Sequence, residues 1–243
     1  MPEPFVFTRL YLPRPIQASA LTNVLSRLAG PDVPRPLSLE VYADDAGIQH
    51  VLGCTPTGVH QLTHLLRGLL PGLATGSATR PSLRSVGRVE ARQHGMPPSS
   101  PDAELLSTDL YSALAARKQG EAVGLQVVLG RAHAPQAVNG NHPDPLQPVG
   151  SKLWHGIKNA TTDTRRRLQE HAAEARLQVA VRIGVDAATA ERRAALVHGV
   201  FGSLHRLSAI GVQLRLVREG PARLRSASAA HAHRRARAQA PAS

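Results

Sequence analysis

Cysteine is almost absent. Cys54 is the only one among 243 residues, which excludes an internal disulfide framework and any four-cysteine zinc site. Lysine is nearly as scarce: Lys118, Lys152 and Lys158 are the whole complement, so arginine supplies 26 of the 29 basic residues. Aromatic residues make up 3% of the chain, too few for the stacked platforms that hold single-stranded nucleic acid. No apolar run comes near the roughly 18 residues a membrane span needs. The N-terminus has neither a basic segment nor a long apolar one. No secretory signal is therefore expected, and a soluble, cytoplasmic protein is.

What is present describes a globular chain. Hydrophobic residues are 42% and charged residues 19%, enough apolar material and length to bury a core. The formal net charge is +12. Basicity attracts nucleic acid and acidic surfaces, but Arg, Ala, Gly and Pro richness is also what GC-rich codon usage produces. Five of the positive charges (Arg223, Arg225, Arg234, Arg235 and Arg237) fall after Gly220. The stretch 220–243 has one leucine and no aromatic, so it is expected to be disordered.

Hydrophobic spacing orders the rest. Residues 5–12 alternate apolar and polar between prolines and predict a strand. Leu21, Val24, Leu25 and Leu28 predict a helix closed by Gly30-Pro31. Two alternating segments, 37–42 and 48–53, flank the turn Asp44-Asp45-Ala46-Gly47 and predict a hairpin. A helix from Thr57 carries Val59, Leu62, Leu66, Leu69 and Leu70, and a short strand at 73–76 completes β-α-β-β-α-β. Residues 83–91 predict the next strand. Asp102 is placed to cap a helix bearing Leu105, Leu106, Leu110 and Leu114. Strands are expected at 121–130, 177–185 and 211–217, and helices at 164–175, capped by Thr162-Asp163, and at 188–207. The stretch 131–158 reads as irregular. With 131–176 set aside as an insertion, β-α-β-β-α-β appears a second time. The expected fold is α+β: two ferredoxin-like βαββαβ modules in tandem, 1–78 and 79–219, followed by the tail 220–243.

Few residues point to chemistry. His60 and His64 have the i, i+4 spacing of a helical metal pair, but they fall opposite the Val59/Leu62/Leu66 stripe, away from His50. Cys54 becomes a nucleophile only if a histidine approaches it; a lone cysteine at a strand end is more often a packing residue. His198 and His205 lie seven apart on the face opposite Leu196, Val200 and Leu204, beside Gly199 and Gly202. Arg165, Arg166 and Arg167 open a helix that also carries Glu170 and Glu174, so intrahelical ion pairs compete with phosphate contact. Together with Arg223, Arg225, Arg234, Arg235 and Arg237, these three are the candidate nucleic-acid-binding residues. Such binding would be nonspecific and salt-dependent.

Several phrases carry a resemblance. FTRLYLPRPI with the helix ending LSRLAGPD, LSLEVYADDAGIQHVLGCTP with the helix ending LLPGL, then GLQVVLGRAHAP, SKLWHG, TTDTRRRLQEHAAEARLQVAVRIGVDAATAERRAALVHGVFGSLH and GVQLRLV follow one another in order. This string, over roughly residues 5–218, resembles the N-terminal region of actinobacterial-type conjugative DNA-transfer ATPases, relatives of type IV secretion coupling proteins. In that family an ATPase follows. Here the phosphate-binding pattern G-x-x-x-x-G-K-[ST] is absent: Gly150-Ser151-Lys152 lacks the first glycine and has Leu153 where Ser or Thr is required. The resemblance therefore implies a non-catalytic docking region without its motor, truncated or frame-shifted near Gly220. It would hold no cofactor and no metal. Its partners would be proteins of a DNA-transfer machinery, peripheral to a membrane-associated secretion complex. The alternative reading is a nonspecific nucleic-acid-binding protein.

Overall fold

The computed structural model describes residues 5–93, 102–133, 143–145, 147–172, 176–208 and 212–225. The first half runs β1 (Val6–Tyr11), α1 (Ala18–Leu28), β2 (Leu37–Asp44), β3 (Gly47–Cys54), α2 (Pro56–Leu69) and β4 (Ala74–Ser77). The second runs β5 (Ser85–Gln93), α3 (Ala103–Ala115), β6 (Ala122–His133), α4 (Val149–His155), α5 (Thr162–Ala172), β7 (Arg176–Asp186), α6 (Ala190–Leu204), β8 (Val212–Glu219) and α7 (Pro221–Arg225). The protein is α+β.

All eight strands join one antiparallel sheet, in the order β4-β1-β3-β2-β6-β7-β5-β8. Within each half the order is fourth, first, third, second strand. The halves meet through their second strands, β2 and β6, paired from Leu37↔Leu129 to Ala43↔Val123. The sheet edges are blunted. β4 is four residues long, and β8 carries Arg215, Arg218 and Glu219, charges that discourage edge-to-edge association.

Alternation along the strands sorts the two faces. On β2, Leu37 and Leu39 pack with Val24, Leu28, Leu62 and Leu66 of α1 and α2. Val41 and Ala43, two and four residues further on, pack with Leu114 of α3 and with Leu196, Val197, Val200 and Leu204 of α6. One continuous apolar face thus carries the four helices α1, α2, α3 and α6. The other face carries Ser38, Glu40 and Tyr42 of β2.

Local sequence explains the ends of most elements. The Thr55 hydroxyl accepts from Gly58 N at 3.3 Å, with Pro56 at the first helical position of α2. Asp102 caps α3 as expected, accepting from Glu104 N at 2.8 Å. The β2–β3 turn requires Gly47, whose φ is +97°. The cap of α5 is Thr161, which accepts from Thr164 N at 3.3 Å, and not Thr162-Asp163. Residues 173–175, expected in that helix, lie outside the described residues.

Two helices depart from expectation. α4 forms inside the stretch read as irregular. α7 lies in the tail read as disordered: Leu224 is 3% exposed and packs with Tyr42, Val51, Leu83, Val86 and Ala122 on the face away from α1, α2, α3 and α6. One leucine suffices because that face already offers an apolar cup. Residues 226–243, with Arg234, Arg235 and Arg237, lie outside the described residues.

Candidate functional site

The face opposite the long helices holds a row of charged and polar side chains across five strands. Glu40 is directly across from Gln126, Gln126 from Arg182, and Arg182 from Arg88. Gln126 Nε2 donates to Glu40 at 2.7 Å, and its oxygen accepts from Arg182 Nη1 at 3.1 Å. Arg182 Nε donates to Glu219 at 2.6 Å. Arg88 lies 4.0 Å from the other Glu219 oxygen and also pairs with Glu90. Glu90 in turn accepts from Arg215 Nε at 2.8 Å. At the other end, Arg80 donates through Nε and Nη2 to Glu40 at 2.8 and 3.1 Å, with its guanidinium 3.8 Å from the Phe7 ring centre. Arg182 is 1% and Glu40 2% exposed, a depth at which charges persist only when paired.

The row also anchors α7. Arg80 Nη2 and Gln126 Nε2 donate to Leu224 O at 3.0 and 2.9 Å, and Arg80 Nη1 donates to Arg225 O at 3.1 Å. These carbonyls are the ones a helix C-terminus leaves without internal partners. Tyr42 hydrogen-bonds Glu40. Burial, then the neighbouring carboxylate, pushes its phenol far above the ordinary range. Gly124 makes room for the Tyr42 ring, since a Cβ there would stand 2.5 Å from ring carbons. Chemically, this cluster pairs three carboxylates (Glu40, Glu90 and Glu219) with four guanidiniums (Arg80, Arg88, Arg182 and Arg215) and ties the strands and α7 together.

The residues singled out from the sequence are dispersed. His60 and His64 are exposed on α2, lining a groove with Arg27 and Asp32, themselves an ion pair at 2.9 Å. Among the described residues no group of three or more His, Cys, Asp or Glu is arranged to hold a metal. Cys54 is buried, its thiol 3.5 Å from the Pro36 carbonyl and its pKa pushed up by burial. His198 is exposed. His205, Gly199 and Gly202 line a shallow groove of about 510 Å³ with Asp109, Ser112 and Arg206.

The arginine candidates do not converge. Arg165 is half-buried and donates to Ala160 O at 3.3 Å, while Arg166 pairs with Glu170 at 2.9 Å. Arg167 lies on the same helix, α5, whose Leu168 packs on Val212. Val212 alternates onto the strand face of Leu214 and Leu216, the face that carries the long helices. Arg223 and Arg225 sit on α7, across the sheet.

His50, read only as a neighbour of Cys54, faces α3 instead. Its Nε2 hydrogen-bonds the Tyr111 hydroxyl at 2.9 Å, joining the halves on the helical face. Burial first, then Arg14 and Arg9, lowers its pKa below 6.5. Glu121, on which Arg192 donates, is pulled down from 4.5 to about 2 by that hydrogen bond first. Both shifts are depressions, so the unfolded chain binds more protons and stability falls on acidification. The His50 contribution is expected to be lost from about pH 6.5 downward, and the Glu121 contribution from about pH 4.5 towards 2. Urea midpoints measured from pH 8 to 3 check this. His50→Gln should flatten the upper stage only; an unchanged profile would disprove the assignment.

Sequence reasoning missed the charged row altogether. Its only signal was scattered polar residues on that face, such as Ser38 and Glu40 on β2 and the lone Gln126 on β6, and on a strand these read as ordinary solvated positions. It also missed three apolar side chains at α4 (Leu153, Trp154 and Ile157), which stand exposed. Among the described residues no helix is long and apolar enough to cross a membrane. Compared with known proteins, the chain matches no family model and no curated sequence.

Proposed function

We propose that the chain is a non-catalytic docking region of the kind that precedes the motor in conjugative DNA-transfer ATPases, built as two ferredoxin-like halves. The observation that carries the two-halves architecture is the repeated strand order, fused through the two second strands into one sheet. That order is the one a split βαβ unit takes, and the resemblance in sequence runs through both halves. The charged row supports a structural role for the open face, because its ionic groups engage one another. A region of this kind acts by holding protein components of a transfer machinery together. Ferredoxin-like halves serve many functions, so the sequence string rather than the topology supplies the DNA-transfer context.

A chimera tests this. Residues 5–225 replace the N-terminal region of a working conjugative ATPase, and transfer frequency is compared with that of the motor alone. Restored transfer is the expected result. A folded, expressed chimera no better than the bare motor would overturn the proposal.

A further inference from the structure

We infer that α4 and the turn after it form a membrane-surface contact that seats Leu153, Trp154 and Ile157 at the headgroup boundary of an anionic lipid bilayer. These side chains are 81%, 85% and 71% exposed. Such values mean that they stand clear of the body as a ridge. Every residue from 153 to 159 is exposed.

The ridge is pre-formed. Gln147, 8% exposed, accepts from Lys158 N at 2.9 Å and donates to Gly156 O at 2.8 Å. Asp144 N donates to Lys158 O at 2.8 Å, and Pro143 bridges to Asn159. The turn itself uses Gly156 at φ +69°. A buried amide therefore fixes an outward-facing apolar loop, which removes much of the ordering cost that binding otherwise meets.

Charge selects the occupant. Lys152 and Lys158 flank the apolar residues, and the nearest acidic residues in the chain are Asp144, whose N donates to Lys158 O, and Asp163, so the basic side chains stand within the loop and the acids at its margins. Two of the three lysines of an arginine-rich chain thus stand at this one place. Tryptophan at the interface, aliphatic side chains below it and lysine on the headgroups is the chemistry of peripheral contact with anionic lipid. The surface is independent of the docking reading above and does not require it.

Trp154 is the only tryptophan, so its emission reports this site alone. The full chain is titrated with phosphatidylcholine vesicles with and without phosphatidylserine, in parallel with vesicles carrying brominated acyl chains. Expected are a shift of emission to shorter wavelength and quenching by bromine, both dependent on phosphatidylserine. The double change Lys152→Glu, Lys158→Glu should weaken partitioning at least about tenfold. Leu153→Ser with Ile157→Ser should abolish the shift while leaving far-UV circular dichroism unchanged, since both side chains are exposed. Three results would overturn the inference. Co-sedimentation with no change in emission means adhesion through other basic residues. A shift that follows protein concentration without lipid means a second copy covers the ridge. Emission already at short wavelength in dilute protein means the chain covers it itself.

Discussion

Glu40→Ala is expected to lower the unfolding free energy by about 3–5 kcal/mol, the cost of leaving a buried ionic partner uncompensated. Glu40 is the acceptor on which the end of the row depends. Ser38 Oγ donates to it at 2.7 Å, Gln126 at 2.7 Å and Arg80 at 2.8 and 3.1 Å, and its side chain is 0% exposed. Alanine removes the acceptor of Ser38 and Tyr42 and, among the described residues, the only carboxylate on Arg80, while Arg80 and Gln126 keep their bonds to the α7 carbonyls. Domain stabilities are typically about 5–15 kcal/mol, so the variant should sit near the edge of folding, with a lower urea midpoint. The Glu40→Met, Arg80→Met pair should recover much of the loss, because two apolar side chains bury no charge. A Glu40→Ala midpoint equal to that of the native chain would show that the row contributes nothing to stability.

Ending the chain at Gly220 is expected to destabilise it by about 3 kcal/mol, whereas ending it at Arg225 changes the unfolding free energy by no more than about 0.5 kcal/mol. The first cut removes Leu224 from the cup formed by Tyr42, Leu83 and Val86, and takes away the carbonyls that accept from Arg80 and Gln126. The second cut removes Arg234, Arg235 and Arg237 and keeps α7. Thermal melts of the two truncations give the comparison, and equal melting temperatures would show that α7 is not a structural part of the fold. The same pair bears on the alternative of nonspecific nucleic-acid binding. Salt-dependent DNA affinity that vanishes in the chain ending at Arg225 assigns it to the tail arginines. Affinity lost only in the chain ending at Gly220 would reflect damage to the fold.

Elements with a long apolar period were legible. α2 and α6 show their core stripes in Val59, Leu62, Leu66 and in Leu196, Val200, Leu204, because burial of one helical face demands that spacing. The hairpin was legible from its turn residues. α4 and α7 were not, and for the same reason: seven and five residues are too few to display a period. Leu105, placed in the core stripe of α3, is 53% exposed, because burial there begins further along, at Leu110 and Leu114. Histidine spacing on α2 suggested a pair, and only the helix's orientation could say that both rings face solvent.

The sequence by itself determined most of the strand–helix order, the apolar faces of α2 and α6 and most of the turns and caps, because these depend on contacts a few residues apart; on α1 and α3 the stripe residues Leu21, Leu25 and Leu105 are exposed. Tertiary structure decided what the polar residues on β2, β6, β7 and β5 mean. Glu40, Gln126, Arg182 and Arg88 are separated by tens of residues, and each alone reads as a solvated side chain. They become one row of hydrogen bonds and ion pairs only because β2 and β6 pair at the centre of the sheet, in a register that places their polar positions side by side. That pairing comes from long-range strand contacts, which local spacing does not encode.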